Sequence, residues 1–330
     1  MKRRHGGNVG MKWTPGLGFQ GSRLYGIRGD EIWSFGRTSE DSSDVDDAVR
    51  EWSAESKGEL RLFGVVTSRG AIFSSLRYRT ISSDDSPEKA MKHDRAVRTV
   101  RFPLKGKGHL GEPSTVNLGP SELGAYPLAV VGSTIFAGTD QELLAVKLTE
   151  PTQTTWRLSL PGWRMAFLAV SEKDAYISTV DTNWTNPRLW SVLDGQLHAV
   201  EIGDEWRIHC LDADVKEKVW AAVTCGRLRG LLAREDDSWF FHEATPSGIL
   251  EEVEDMATGD ADDVWLATHS GIVRFRQNVW TRWTVSDGIG SDFHNSVCID
   301  RFGLVWFWSG VSLDWAHPNR GVGCAWRWPA

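Results

Sequence analysis

Seven times along the chain an aromatic residue follows a small or β-branched one: Ile32-Trp33, Ile72-Phe73, Ile135-Phe136, Ala175-Tyr176, Val219-Trp220, Val264-Trp265 and Val305-Trp306. The steps between these aromatics are 40, 63, 40, 44, 45 and 41 residues. A period of about 40 to 45 residues filled with short strands is the signature of a β-propeller, each repeat being one four-stranded blade. A second aromatic keeps the same register. Trp33 to Trp52, Phe136 to Trp156, Trp220 to Trp239, Trp265 to Trp283 and Trp306 to Trp326 are separated by 19, 20, 19, 18 and 20 residues. The first mark fits the second strand of a blade and the other its fourth. Together they predict an all-β fold, a seven-bladed β-propeller of four-stranded antiparallel blades.

The 330 residues are filled by one such domain, with blades at roughly 22–59, 60–118, 124–159, 163–203, 206–245, 250–286 and 293–330. The sixth repeat is the clearest. Val253–Met256, Asp263–Thr268, Ile272–Phe275 and Val279–Val285 read as strands, separated by Gly259-Asp260-Ala261-Asp262, Ser270-Gly271 and Gln277-Asn278, residues that accept turn geometry. The one long step marks an insertion at about 82–113 in the second blade, with polar Ser82–Ala96 and Gly- and Lys-rich Lys105–Pro113 as its loops. Only Val45–Glu55 could form a short turn of helix. Met11–Thr14 could close the ring as a strand beside the last blade.

Composition narrows the function classes. Eighteen Trp against four Tyr suit strand faces packed between stacked sheets, where large flat side chains fill space. The formal charge of −7 disfavours nonspecific binding to nucleic acid or to an anionic membrane, so neither is an expected partner. Cys210, Cys225, Cys298 and Cys324 form no CxxC pair and read as reduced core thiols. Lys2, Arg3 and Arg4 are followed by Gly-rich sequence rather than an apolar run, so no signal peptide is expected. No stretch of about 18 apolar residues suggests a spanning helix. The expected compartment is the cytoplasm.

Within Asp263–Trp306 the residues Val264-Trp265-Leu266-Ala267-Thr268, Gly271-Ile272, Trp283 and Asp287-Gly288-Ile289 follow in order, and Asn295–Asp300, Gly303 and Val305-Trp306 open the next repeat. This segment resembles the repeat of the two-component regulator propeller family. The resemblance implies the propeller fold. It also implies a sensor module of the kind that recognises a ligand, such as a glycan fragment, for a membrane-bound kinase. Upstream, only the aromatic register continues.

The loops from each fourth strand to the next first strand, with those joining second and third strands, gather on one face of such a fold. There the sequence places Trp163 and Arg164; Trp184 and Arg188; Trp206, Arg207 and His209; His269; and Asp292, Phe293 and His294. Trp beside Arg in exposed loops is the composition of interaction hot spots. Trp163, Arg164, Trp184, Arg188, Trp206, Arg207, His269, Asp292 and His294 are therefore the expected partner-binding residues. The competing reading of each Trp is a ring folded back over a blade edge. In the run Glu251, Glu252, Glu254 and Asp255, Glu251 and Glu254 are the candidates for a hard cation, and strand alternation allows at most two of the four to share a site. No Ser nucleophile elbow and no His pair at ligand spacing is present, and no cofactor is expected. The sequence thus favours a non-enzymatic propeller binding a protein partner of immunity, scaffold or assembly type. One alternative is a hydrolase or lyase with a cation at the channel mouth. Another is a module for a small-molecule or glycan ligand, with Trp163, Trp184 and Trp206 stacking on sugar rings.

Overall fold

A computed structural model describes the strands given below and, from residue 196 on, nearly all of their connecting turns. Residues 1–16 and 328–330 and the stretches 38–42, 54–58, 79–95, 103–108, 117–125, 171–174 and 182–186 are among those outside the description. The first sheet comprises β1 (Leu17–Gln20), β2 (Arg23–Arg28), β3 (Glu31–Arg37) and β4 (Val45–Ser53). The second holds β5 (Glu59–Thr67), β6 (Gly70–Tyr78), β7 (Ala96–Phe102) and β8 (Ser114–Val116). The third holds β9 (Tyr126–Val131), β10 (Thr134–Gly138), β11 (Glu142–Lys147) and β12 (Glu150–Ser159). Next come β13 (Trp163–Val170), β14 (Ala175–Asp181), β15 (Arg188–Leu193) and β16 (Gln196–Val200). The fifth sheet is β17 (Arg207–Ala213), β18 (Val219–Cys225), β19 (Leu228–Glu235) and β20 (Ser238–Glu243). The sixth is β21 (Val253–Thr258), β22 (Val264–Thr268), β23 (Gly271–Arg276) and β24 (Val279–Trp283). The last is β25 (Ser296–Ile299), β26 (Val305–Trp308), β27 (Ser312–His317) and β28 (Gly321–Arg327).

Every sheet is antiparallel with its strands in chain order. The first strands neighbour one another in succession, β1 beside β5, then β9, β13, β17, β21 and β25, and β25 lies back against β1. The fold is an all-β propeller whose inner strands ring a central axis. Each sheet is built from one contiguous stretch, and β1 begins the first sheet at Leu17. The possible closing strand Met11–Thr14 lies outside the described residues.

The core follows the aromatic register. Tyr176, Trp220, Trp265 and Trp306 on second strands are at most 2% exposed. Trp265 stacks on the fourth-strand Trp283, centroids 5.6 Å apart and planes 17° off parallel. Removing a ring of this size from water contributes about 4–6 kcal/mol before conformational entropy is subtracted. In the first sheet the register differs: Trp33 lies on the third strand, because β2 already pairs with β3 from Arg28 opposite Glu31. Of the possible helical turn Val45–Glu55, the described part, Val45–Ser53, is strand β4; it pairs with β3 along its length, and Val45 and Ala48 pack on the cluster around Phe35. Within the expected insertion, Ala96–Phe102 is a third strand paired to β6. His109 Nδ1 lies 2.7 Å from the carboxylate of Glu51, which also accepts a bond from the Leu110 N–H, so the segment after β7 leans on the first sheet.

Two buried carboxylates stitch neighbouring inner strands. Asp212 Oδ2 accepts bonds from the Thr258 N–H at 2.8 Å and its hydroxyl at 2.9 Å, and Asp255, fully buried, accepts one from the Val297 N–H at 2.9 Å. Asp255 is therefore not part of a solvated acidic run. Of the cysteines, Cys210 and Cys298 are buried, but Cys225 is half-buried and Cys324 exposed. Among the described residues no helix is long and apolar enough to cross a membrane.

Candidate functional site

Four inner strands carry a one-residue bulge near their first residue. Leu128 in β9, Ala166 in β13, His209 in β17 and Glu254 in β21 are each left out of the ladder to the second strand. Bulges bend a strand and re-aim its side chains, and they cluster beside functional sites. Here they sit at the end of the inner strand reached by the fourth-to-first connections. Two of the four bulged residues are polar, and both belong to adjacent sheets, the fifth and sixth.

Between those two sheets lies a cleft of about 210 Å³ lined by Arg207, His209, Thr224, Arg229, Leu250 and Glu252 among others. Arg207 is opposite Thr224, and Thr224 opposite Arg229, so the three form one rung on one face of the sheet. His209 Nε2 lies 3.0 Å from Thr224 Oγ1. Burial is the main cause that lowers the His209 pKa below its ordinary 6.5, with the Arg207 and Arg229 guanidiniums adding to it and Glu252 opposing. The imidazole is therefore neutral at pH 7.

One step along the same face, His269 stands in the turn between β22 and β23. Its Nδ1 lies 2.6 Å from Glu252 and its Nε2 2.6 Å from Glu254. Its ring sits 4.7 Å from that of Phe293. Phe293 belongs to the connection from β24 to β25, which is braced by Asp292: its carboxylate accepts the Val285 N–H and its carbonyl the Gly271 N–H. Leu228, Val285, Phe293 and Val311 are 42–51% exposed. Val285, Phe293 and Val311 occupy second-to-third or fourth-to-first connections and Leu228 opens β19 at the end of one, so the four share the face with the cleft.

The predicted residues separate on this geometry. Arg207 and Arg188 are exposed, and His269 keeps about a third of its side-chain surface. Trp206 is half-buried, its ring 4.6 Å from that of Phe241, so it folds back over the fifth sheet. His294 is a correction: it is fully buried, with Nε2 2.8 Å from the Asp314 carboxylate, and offers nothing to a partner. Trp163 and Arg164 pair with Asp181 and Val180 through the backbone, and their side chains lie outside the description, as do Trp184 and Glu251 entirely. Glu254, the remaining cation candidate, is engaged by His269. Among the described residues no three His, Cys, Asp or Glu side chains converge as a metal site. Sequence reasoning missed Thr224, Leu228, Arg229, Val285 and Val311. The turn Gly226-Arg227 ahead of Leu228-Arg229 was the one available signal.

No family model matches the chain, that of the two-component regulator propeller included, and no curated protein matches it in sequence. Solved structures do resemble it. YCF48 bound to D1 peptide aligns with TM-score 0.62 and 11% identity over 92% of this chain and 94% of that one. A catalytically inactive virginiamycin B lyase from Staphylococcus aureus with quinupristin gives 0.58 and 13% over 91% and 94%. The Pan2 WD40 domain of Neurospora crassa gives 0.53 and 12% over 90% and 86%. At these identities the likeness concerns the propeller fold alone.

Proposed function

We propose that this chain is a non-enzymatic propeller that binds a protein partner through the loop face of its fifth, sixth and seventh sheets. The observation that carries this reading is the grouping there of exposed Leu228, Val285, Phe293 and Val311 beside the Arg207–Arg229 rung. Apolar anchors ringed by Arg and acidic side chains have the make-up of an interface core with a polar rim. YCF48 with its peptide supports the reading as an example of a propeller engaging a polypeptide. The buried His294 and the folded-back Trp206 have structural roles, so the hot spot moves from Trp206 to Phe293.

The test begins with a tagged chain and a stoichiometric partner identified in its native cell. Phe293→Ser combined with Val311→Ser should lower the melting temperature by no more than a few degrees, since both side chains are about half exposed, and weaken the complex by about 2 kcal/mol or more. A complex of undiminished affinity would overturn the choice of face.

A further inference from the structure

We infer that the cleft between the fifth and sixth sheets is a carboxylate-binding site, built to take an acidic side chain of the partner polypeptide between Arg207 and Arg229. This rests on the reading of the loop face as a partner surface and names the chemistry at its centre. The chain carries 44 acidic against 37 basic residues, and several of its arginines find acids. Arg274 is forked by Asp263 at 2.6 and 2.9 Å, Arg50 reaches Glu31 at 2.9 Å, and Arg157 reaches Glu142. The two cleft arginines differ from these three. Among the described residues no carboxylate pairs with Arg207 or Arg229, and the hydrogen bond of Arg229 goes to the Leu250 carbonyl at 3.4 Å.

The rung sets their spacing. Strands lie about 4.8 Å apart, so residues two strands away on one rung have backbones about 10 Å apart, with Thr224 between them. Two guanidinium forks reaching inward from such a separation can bracket one carboxylate, the geometry in which arginine recognition is bidentate. Thr224 supplies a hydroxyl at the centre of the rung. Among the described residues the one acid lining the cleft, Glu252, is turned to His269. At about 210 Å³ the space is below the range of whole drug-sized ligands and suits one side-chain head group, the end of something larger lying across the face. Leu250, Val223 and Val253 complete the lining with apolar surface that would meet the methylenes of a Glu.

The probe is N-acetylglutamate, titrated into the full chain while the arginine Nε–H and Thr224 amide NMR signals are followed. Saturable shifts at millimolar concentration are expected, absent with N-acetylglutamine, and at least tenfold weaker affinity in Arg207→Ala and in Arg229→Ala. Equal responses to the two probes, or affinity unchanged in both variants, would overturn the site. Inorganic phosphate is the second arm: affinity tenfold above that of N-acetylglutamate would reassign the cleft to a phosphate-bearing ligand and overturn the carboxylate assignment. The outcome is separable from that of the partner surface. Loss of partner in the Phe293–Val311 variant with no response to N-acetylglutamate would remove the cleft assignment and leave the face standing.

Discussion

Replacing Asp314 by Ala should damage the loop face without touching it. The carboxylate is fully buried in β27, where it accepts the Gly290 N–H at 2.7 Å and the Ser312 hydroxyl at 2.8 Å and pairs with His294 Nε2 at 2.8 Å. Gly290 and His294 belong to the connection that carries Phe293, so one side chain in the last sheet fixes the loop leaving the sixth. A hydrogen bond to a charged group is worth about 1.5–3 kcal/mol, but three on one carboxylate do not add in full. Leaving a buried hydrogen-bonding group without its partner costs about 1–3 kcal/mol more. His294 is stranded in this way, since its Nδ1 is already buried without a partner. We therefore expect a loss of about 4 kcal/mol. With unfolding entropy near 2.1 cal/mol/K per residue over 330 residues, that is about 0.7 kcal/mol/K and a fall in Tm of about 6 °C. Asp314→Asn keeps an acceptor for Gly290 and should lose less. The assay is thermal melting with hydrogen exchange at residues 288–295. An Ala variant melting within about 1 °C of the parent, with Gly290 exchange unchanged, would refute the clasp.

Two further outcomes follow from titrating groups. Cys324 is exposed, yet burial of its sulfur, followed by the nearby Asp314 carboxylate, pushes its pKa from 9.0 to about 12. At pH 8 its thiolate fraction is then about a thousandfold below that of an ordinary thiol, and iodoacetamide should label it correspondingly slowly in the native protein; labelling at the rate of a denatured control contradicts this. For His209 the folded pKa is lowered, so above 6.5 both states are neutral and stability is unaffected. Below 6.5 the unfolded chain takes up a proton first, and stability is lost until the pH reaches the folded value. Urea unfolding at pH 7 and pH 5 should show a smaller acid loss for His209→Gln than for the parent, and an equal loss would exclude His209 as the group responsible.

What could be read from the chain was the part set by volume and by turn stereochemistry. Trp220, Trp265 and Trp306 mark second strands because each must fill the space between sheets, and that demand recurs with the repeat. Gly271 marks a turn because it sits at φ +119°, where a Cβ would also meet the Trp283 carbonyl oxygen. What escaped depends on partners distant in sequence. His294 looks like a surface histidine until Asp314, twenty residues on, is seen to hold it. Trp206 looks like an anchor until Phe241 is placed beneath it. Arg229 gains meaning only from standing two strands from Arg207, a relation fixed by register.

The bulges explain why strict alternation also misassigns the inner strands. In β21, Val253 faces Thr268 and packs with the cluster between the fifth and sixth sheets. A regular strand would send Asp255, two residues later, to that same side. The bulge at Glu254 reverses the parity, so Asp255 pairs with Ala267 and turns to the seventh sheet, where it meets Val297. In β17 the extra His209 likewise puts Cys210 on the face shared with Arg207, packed with Trp220 and Ala222 against the sixth sheet. In β17 the inserted residue thus has two effects: it places His209 at the cleft and it carries Cys210 into the seam between sheets. Leu128 and Ala166 occupy the same backbone device with no side-chain polar atom. Polar bulge residues in the fifth and sixth sheets are therefore a choice of side chain on a repeated backbone feature, and the proposed partner surface lies beside them.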